Sequence, residues 1–146
     1  MTARTITCLL LLVALAVQCH AQPDARIWAL EQIESGADPE AIGDDGLAVG
    51  ILQITPIMVA EVNRILGHQR YTLEDRKCVN CSRAMAAIAL RDARTAQEVA
   101  RVWNPGADAD YVERLGNLIR WRERELNRER RVQSWRPGGK LKQGDR

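Results

Sequence analysis

The strongest constraint on the fold is a series of short apolar patterns with helical spacing, each ended by glycine or proline. The first pattern places Ile27, Leu30 and Ile33 on one face of a helix, which Gly36 ends. No alternating pattern in the chain is long enough for a large sheet. The sequence therefore predicts a mainly α fold with at most a short β-hairpin, which we expect near residues 51–55.

Polar residues that can cap a helix mark the starts of four further helices. These residues are Thr55, Ser82, Thr95, and either Asp108 or Asp110. Glu98 lies three residues after Thr95 and completes a capping box. Gly67 is expected to end the helix that begins after Thr55. The segment Asn104-Pro105-Gly106 is expected to end the helix that begins after Thr95. The body of the chain is thus predicted to be five helices joined by loops.

The N-terminus has the pattern of a secretory signal over residues 1–21. Arg4 is followed by nine consecutive apolar residues, and Ala21 suits cleavage directly after it. The apolar run is too short for a stable transmembrane helix, which needs about 20 residues. Two alternatives are an N-terminal anchor that is never removed and lipidation at Cys19, for which the preceding Gln18 is unfavourable. We expect an exported protein, either periplasmic or secreted.

Charge divides the remaining chain into two parts. Residues 22–119 hold ten Lys and Arg against fifteen Asp and Glu, and residues 120–146 hold ten against four. We interpret the first part as one small domain with one core, and the second as a basic tail that is helical and then disordered. The tail is expected to bind anionic cell-wall polymer or a membrane surface, or to be a solvated helix extension. The secretory signal argues against nucleic acid as a partner.

Two cysteines, Cys78 and Cys81, remain after the signal is removed. In an oxidising compartment they most simply form a local disulfide. A redox motif of the thioredoxin type needs a βαβ context, which the sequence does not supply. His68 is the one histidine outside the signal, so ligands for a four-coordinate zinc site are lacking. We therefore predict a disulfide and no metal.

Glu34 stands at the predicted C-terminal end of the first helix. The negative end of the helix dipole and apolar neighbours such as Ile33 both raise the pKa of a carboxyl group. A carboxylic acid that stays protonated near neutral pH can donate its proton to a leaving group, as the general acids of glycosidases do. The alternative is a solvated glutamate without a chemical role.

Four short segments in this order carry a resemblance to a known family. They are Glu34-Ser35, Gly50-Ile51-Leu52-Gln53, Trp103-Asn104 and Tyr111-Val112. Together they resemble the lysozyme-like catalytic domain of soluble lytic transglycosylases, relatives of goose-type lysozymes, over about residues 26–119. The family pattern has Gly-Leu-Met-Gln and Tyr-Asn where this chain has Gly-Ile-Leu-Gln and Trp-Asn, and many relatives lack the pair Asp44-Asp45.

The resemblance implies a lysozyme-like fold and a role for each matching residue. Glu34 would be the catalytic acid and base, and Ser35 would orient the N-acetyl group of the substrate. Gln53 would stand in the groove wall, with Gly50 allowing the backbone to approach the sugar. The other residues expected to line the groove are Trp103, Asn104 and Tyr111, with the Tyr111 hydroxyl directed toward Glu34 or the sugar.

The implied reaction cleaves the β-1,4 bond between N-acetylmuramic acid and N-acetylglucosamine in peptidoglycan. Glu34 would protonate the glycosidic oxygen and then, as a carboxylate, remove a proton from the muramic 6-hydroxyl. The 2-acetamido group would stabilise the anomeric carbon after the bond breaks. The 6-hydroxyl oxygen would then attack that carbon and give a 1,6-anhydro end. No cofactor takes part in this scheme.

Two other functions stay open. If Asp44 or Asp45 held a water molecule opposite Glu34, the enzyme would be a muramidase-type hydrolase. The alternative for both aspartates is turn formation before Gly46, which Asp-Gly pairs favour. The second open function is a non-catalytic glycan-binding or scaffold protein on the same fold, because fold does not determine function.

Overall fold

The computed structural model describes residues 24–135 of the chain. Within them lie five α-helices and one two-stranded sheet, so the predicted mainly α fold with a short hairpin is confirmed. The elements are α1 (Ala25–Glu34), β1 (Ile42–Gly43), β2 (Ala48–Val49), α2 (Pro56–Leu66), α3 (Val79–Ala89), α4 (Ala96–Trp103) and α5 (Ala109–Ser134). The predicted signal over residues 1–21 and the predicted disordered end of the basic tail lie outside the described residues.

The hairpin lies earlier in the chain than predicted. Its strands are antiparallel, with Ile42 opposite Val49. The 3₁₀ turn Asp44–Gly46 reverses the chain between them. The expected segment, residues 51–55, contributes a single bridge in which Ile54 pairs with Val49. The predicted position was wrong because the turn depends on left-handed aspartates, which the apolar pattern does not reveal.

Most of the predicted helix caps are confirmed. The Thr55 hydroxyl accepts a hydrogen bond from the Met58 backbone N–H at 3.3 Å. Thr95 and Glu98 form the complete capping box, and the Asp108 side chain caps α5. These contacts join residues three positions apart, which explains why the sequence alone predicts them.

The predicted cap at Ser82 was wrong. The third helix begins one turn earlier at Val79, and the Sγ atom of Cys78 caps it by accepting from the Cys81 backbone N–H at 3.2 Å. Ser82 is fully buried inside the helix, where its hydroxyl donates to the backbone carbonyl of Arg76 at 2.9 Å. A buried carbonyl needs a donor, and Ser82 supplies it.

The core lies around α1, which packs along α5 and also contacts α3. Leu30 of α1 is fully buried, together with Met85 of α3 and Leu115 of α5. The loop after β2 adds Leu52, which is also fully buried. Because α1 is enclosed by these neighbours, its C-terminal residue, Glu34, is held in a fixed place.

A buried ion pair between α1 and α3 was not predicted. The Arg83 guanidinium donates from Nε to Glu31 Oε1 at 2.6 Å and from Nη2 to Oε2 at 3.1 Å. The side chain of Glu31 is 2% exposed and that of Arg83 is 35% exposed. The backbone carbonyl of Glu31 also accepts from the Ala37 N–H at 2.8 Å. The pair therefore joins α3 to the helix end that presents Glu34.

We expect Arg83→Met to lower the free energy of unfolding by about 2 kcal/mol, because the buried Glu31 carboxylate loses its partner. Breaking a fully buried ion pair costs more, but Arg83 is partly solvated. Urea unfolding would measure the loss. The matched control is Arg91→Met, which removes an arginine from the exposed pair with Asp92. Equal destabilisation by both substitutions would contradict the prediction.

The last helix is longer than the predicted domain. α5 runs unbroken across residue 119 to Ser134, so the predicted boundary between domain and tail falls inside a helix. The Trp121 ring stacks on Trp28 of α1, with centroids 5.2 Å apart. Residues 127–135 are all exposed, so the helix extends beyond the packed body. None of the helices between residues 24 and 135 is both long and apolar enough to cross a membrane.

Candidate active site

A groove of about 750 Å³ runs past the C-terminal end of α1. One side is formed by the hairpin and the loop after it, and the other by α2 and the end of α4. It brings together five of the residues predicted from the sequence: Glu34, Asp44, Gln53, Trp103 and Asn104. A cleft of this size accommodates a ligand as large as one or two sugar rings.

Glu34 is the last residue of α1, and its carboxyl group is partly buried. Burial raises the pKa of this carboxyl group, and the negative charge of Asp44 raises it further. The hydrogen bond from Tyr111 acts in the opposite direction, but the net shift is upward. Glu34 therefore keeps its proton to a higher pH than an exposed glutamate does, in the direction that the sequence predicts.

Tyr111 holds the Glu34 carboxyl group in place. Its hydroxyl donates to Glu34 Oε1 at 2.6 Å, although the residues are far apart in the chain. Burial raises the pKa of Tyr111, and the neighbouring Glu34 raises it further, so the phenol stays a hydrogen-bond donor. Tyr111 is itself buried and does not line the groove, which corrects that part of the prediction, while its hydroxyl is directed toward Glu34 as expected.

The Ser35 hydroxyl is engaged by the protein's own backbone, and a longer contact of 3.4 Å joins it to the Glu31 carbonyl. The hydroxyl donates to the backbone carbonyl of Ile51 at 2.7 Å and accepts from the Asp38 N–H at 3.1 Å. A hydroxyl has only one proton to donate. In this structure Ser35 therefore joins the end of α1 to the loop before α2, and the expected contact with a substrate N-acetyl group stays a prediction.

Gln53 stands in the groove wall, as predicted, but its amide group is engaged. Nε2 donates to the backbone carbonyls of Ala41 at 3.1 Å and Gly50 at 3.0 Å. A Cβ atom at Gly43 would lie 2.4 Å from Gln53 Oε1. Gln53 therefore fixes the hairpin against the next loop, and the hairpin in turn carries Asp44 to the groove.

Gly50 permits a close approach, but not to the groove. The residue is buried with φ of +79°, and a Cβ atom on it would lie 2.4 Å from the carbonyl oxygen of Arg76. The glycine thus lets the loop pack against the protein's own backbone. The resemblance implied that Gly50 lets the backbone approach a sugar, but in the structure the neighbour it approaches is the Arg76 carbonyl.

Trp103 and Asn104 end α4 and line the groove, as predicted. The ring of Trp103 is partly exposed, while Asn104 is exposed. Among residues 24–135 the Asn104 side-chain amide has no hydrogen-bond partner. An aromatic face beside a free amide offers stacking and hydrogen bonding to a polar ligand such as a sugar.

The two aspartates of the hairpin turn differ in position. Asp44 has φ of +48° and Asp45 has φ of +53°, so both adopt the left-handed conformation that aspartate tolerates in turns. Asp44 lines the groove and Asp45 does not. The predicted turn role therefore applies to both, and only Asp44 is placed to act on a ligand.

Cys78 and Cys81 are free thiols in the structure and lie outside the groove. A hydrogen bond between the two side chains lowers the pKa of Cys78 and raises that of Cys81 to about 11. Their i,i+3 spacing across the start of α3 keeps them adjacent. The disulfide stays a prediction. No cluster of metal-ligating side chains occurs among residues 24–135.

The groove face of α2 was missed by the sequence analysis. Val59 and Val62 are buried in the core. Ile57 and Glu61, one turn apart, line the groove, and Ile57 is 81% exposed. Ile65 also lines the groove. An isoleucine outside the core stripe of an amphipathic helix was the signal for a second apolar face.

The groove therefore combines a partly buried acid, a tyrosine that orients it, and an aromatic wall. No known protein family matches the chain, and no curated protein or solved structure is significantly similar to it.

Proposed function

We propose that this protein cleaves the β-1,4 bond between N-acetylmuramic acid and N-acetylglucosamine in peptidoglycan, as a lytic transglycosylase. The observation that carries the proposal is Glu34, a partly buried carboxyl group of raised pKa that opens on a groove and accepts a hydrogen bond from Tyr111. The four ordered segments that resemble lytic transglycosylases give the proposal its substrate.

The first step transfers the proton of Glu34 to the glycosidic oxygen as the bond to the anomeric carbon breaks. The raised pKa of Glu34 favours the protonated form that this step needs. The muramic 2-acetamido oxygen closes on the anomeric carbon and stabilises its positive charge. N-acetylglucosamine leaves with the proton from Glu34.

The second step uses the resulting carboxylate as a base. Glu34 takes the proton of the muramic 6-hydroxyl, whose oxygen attacks the anomeric carbon and displaces the acetamido oxygen. The product is a 1,6-anhydro ring, and Glu34 regains its proton. The Tyr111 hydroxyl stabilises the carboxylate that exists between the two steps, because it donates a hydrogen bond to Glu34 at 2.6 Å.

A muramidase-type hydrolase is the second candidate, and Asp44 favours it. Asp44 lines the same groove, and its charge acts on the Glu34 carboxyl group. A carboxylate facing the acid can activate water, and the product would then carry a reducing end. The transglycosylase takes precedence because it needs only Glu34 and matches the resemblance.

Digestion of purified peptidoglycan, followed by mass spectrometry of the soluble fragments, tests the proposal. Anhydromuramic ends are the expected product. Reducing ends, heavier by one water molecule, would show a hydrolase and direct the next substitution to Asp44. Binding to peptidoglycan without any cleavage product would refute both enzymes and leave a glycan-binding protein.

Substitutions of the two neighbours of Glu34 should move its pKa in opposite directions. Tyr111→Phe removes a hydrogen bond that favours the carboxylate, so the pKa of Glu34 should rise. Asp44→Asn removes a like charge, so the pKa should fall. Because the reaction starts from protonated Glu34, activity is lost as pH rises through this pKa. The pH at which activity falls on the alkaline side should therefore be higher for Tyr111→Phe and lower for Asp44→Asn than for wild type.

The matching measurement without substrate is a pH titration of the Glu34 carboxyl carbon by nuclear magnetic resonance. Asp45→Asn is the control, since Asp45 adjoins Asp44 but does not line the groove. Shifts in the same direction for Tyr111→Phe and Asp44→Asn would contradict the roles assigned to them.

A further inference from the structure

The end of α5 is a helical surface that no other part of the described structure covers. Residues 127–135 are all exposed, and they follow the turn in which Trp121 still packs on Trp28. About two turns of helix therefore lie in solvent, because residues 127–134 are helical and exposed. The question is therefore which side chains this surface presents.

One face of this helix is both cationic and apolar. The spacing i, i+4, i+7, i+8 and i+11 places its members along one side of a helix. This basic–aromatic face consists of Arg124, Arg128, Arg131, Val132 and Trp135. Val132 is 69% exposed and Trp135 is 73% exposed. The face thus presents two uncovered apolar side chains next to three arginines.

Of the three acidic residues near this end of the helix, one borders the face and two project elsewhere. Glu125 flanks the face and pairs with Arg128 at 3.2 Å. Glu123 and Glu129 project to other sides of the helix by their spacing. Among residues 24–135, neither Arg124 nor Arg131 forms an ion pair. Two guanidinium groups are therefore free to meet an external anion.

We propose that the basic–aromatic face docks on the surface of an anionic phospholipid bilayer. Arginine pairs with phosphate through two parallel hydrogen bonds. Tryptophan favours the headgroup region, where its ring is apolar and its N–H is solvated. A soluble anionic polymer would be bound by the arginines alone, whereas a bilayer also takes up Val132 and Trp135. This surface is separate from the groove and does not depend on the proposed function.

The test uses the full chain and the fluorescence of Trp135. The signal is the difference between wild type and Trp135→Phe, so attachment of another segment to the vesicle does not contribute. With vesicles of equal parts phosphatidylcholine and phosphatidylglycerol, we expect the Trp135 emission to shift to shorter wavelength. Vesicles of phosphatidylcholine alone should leave it unchanged, and added salt should weaken the shift.

Charge variants test the face itself. Arg124→Gln with Arg131→Gln should lower the apparent affinity roughly 25-fold, because each cationic side chain at an anionic surface contributes about fivefold. The matched control is Arg101→Gln with Arg130→Gln, which removes the same charge from exposed positions elsewhere. The control should retain the affinity of the wild type.

Three results would overturn the proposal. One is an equal loss of affinity in both double variants, which would mean attraction by net charge. Another is an unchanged Trp135 emission at vesicle concentrations that bind the chain. The third is binding of soluble teichoic acid as tight as binding of vesicles, since a polymer would then be the partner.

Discussion

Glu34→Gln should reduce the rate of bond cleavage by at least about 10²–10⁴-fold, because glutamine cannot transfer the proton that the leaving oxygen needs. The substitution keeps the size of the side chain, and its carbonyl oxygen can still accept the hydrogen bond from Tyr111. The rate at which wild type and variant release soluble fragments from peptidoglycan measures the effect. Sedimentation with intact peptidoglycan should show that the variant still binds.

The matched control for this loss is Glu61→Gln. Glu61 lines the same groove, but its side chain is 44% exposed and pairs with Arg64 at 2.6 Å, so its removal leaves proton transfer intact. We expect this variant to keep most of the activity. A loss below tenfold in Glu34→Gln, or equal losses in both variants, would show that another group supplies the proton.

The stability of Glu34→Gln supplies a second control. The pKa of Glu34 is raised in the folded state, so wild-type stability falls as pH rises through it, because the buried carboxyl group must then carry a charge. Glutamine stays neutral, so the variant should be at least as stable as wild type at alkaline pH. Unfolding of the variant under the assay conditions would show that its lost activity reflects lost structure.

Gly50→Ala should lower the free energy of unfolding by about 3 kcal/mol or more. A left-handed residue other than glycine costs about 1–2 kcal/mol, and a forced contact adds about 1–3 kcal/mol. The contact is severe here because the new methyl group would lie 2.4 Å from the backbone oxygen of Arg76, which cannot rotate away. Urea unfolding of both proteins measures the change.

Gly67→Ala is the control for the backbone part of this cost. Gly67 ends α2 with φ of +75°, close to the +79° of Gly50, but a Cβ atom there would meet nothing within 4 Å. We expect it to cost about 1–2 kcal/mol. The difference between the two substitutions is then the cost of the contact with Arg76. Equal costs would mean that the loop moves away freely, and our account of Gly50 would be wrong.

The helices could be predicted because their signals are local. Thr55 and Asp108 cap the next turn of the chain, and Thr95 does so together with Glu98. Such contacts join residues three positions apart and form in almost any tertiary setting. Ser82 is the instructive failure, because a serine that can cap a helix can also donate to a buried carbonyl, and only packing decides between them.

The candidate site was predictable in its members but not in its hydrogen bonds. The resemblance named Glu34 and Tyr111, and the structure joins them by a hydrogen bond of 2.6 Å. It also named Ser35 and Gln53, whose donor hydrogens the structure directs to backbone carbonyls. No pattern in the sequence states which acceptor a side chain will meet.

By itself, the sequence determined the helical class, most helix ends and the acid at the end of α1, because apolar spacing and capping act between near neighbours. The tertiary structure alone decided the Glu31–Arg83 pair, the contact of Gly50 with Arg76 and the choice of Asp44 over Asp45 at the groove. Each of these depends on groups that are distant in the chain or on the direction of a turn, and only the packed core sets their distances and orientations.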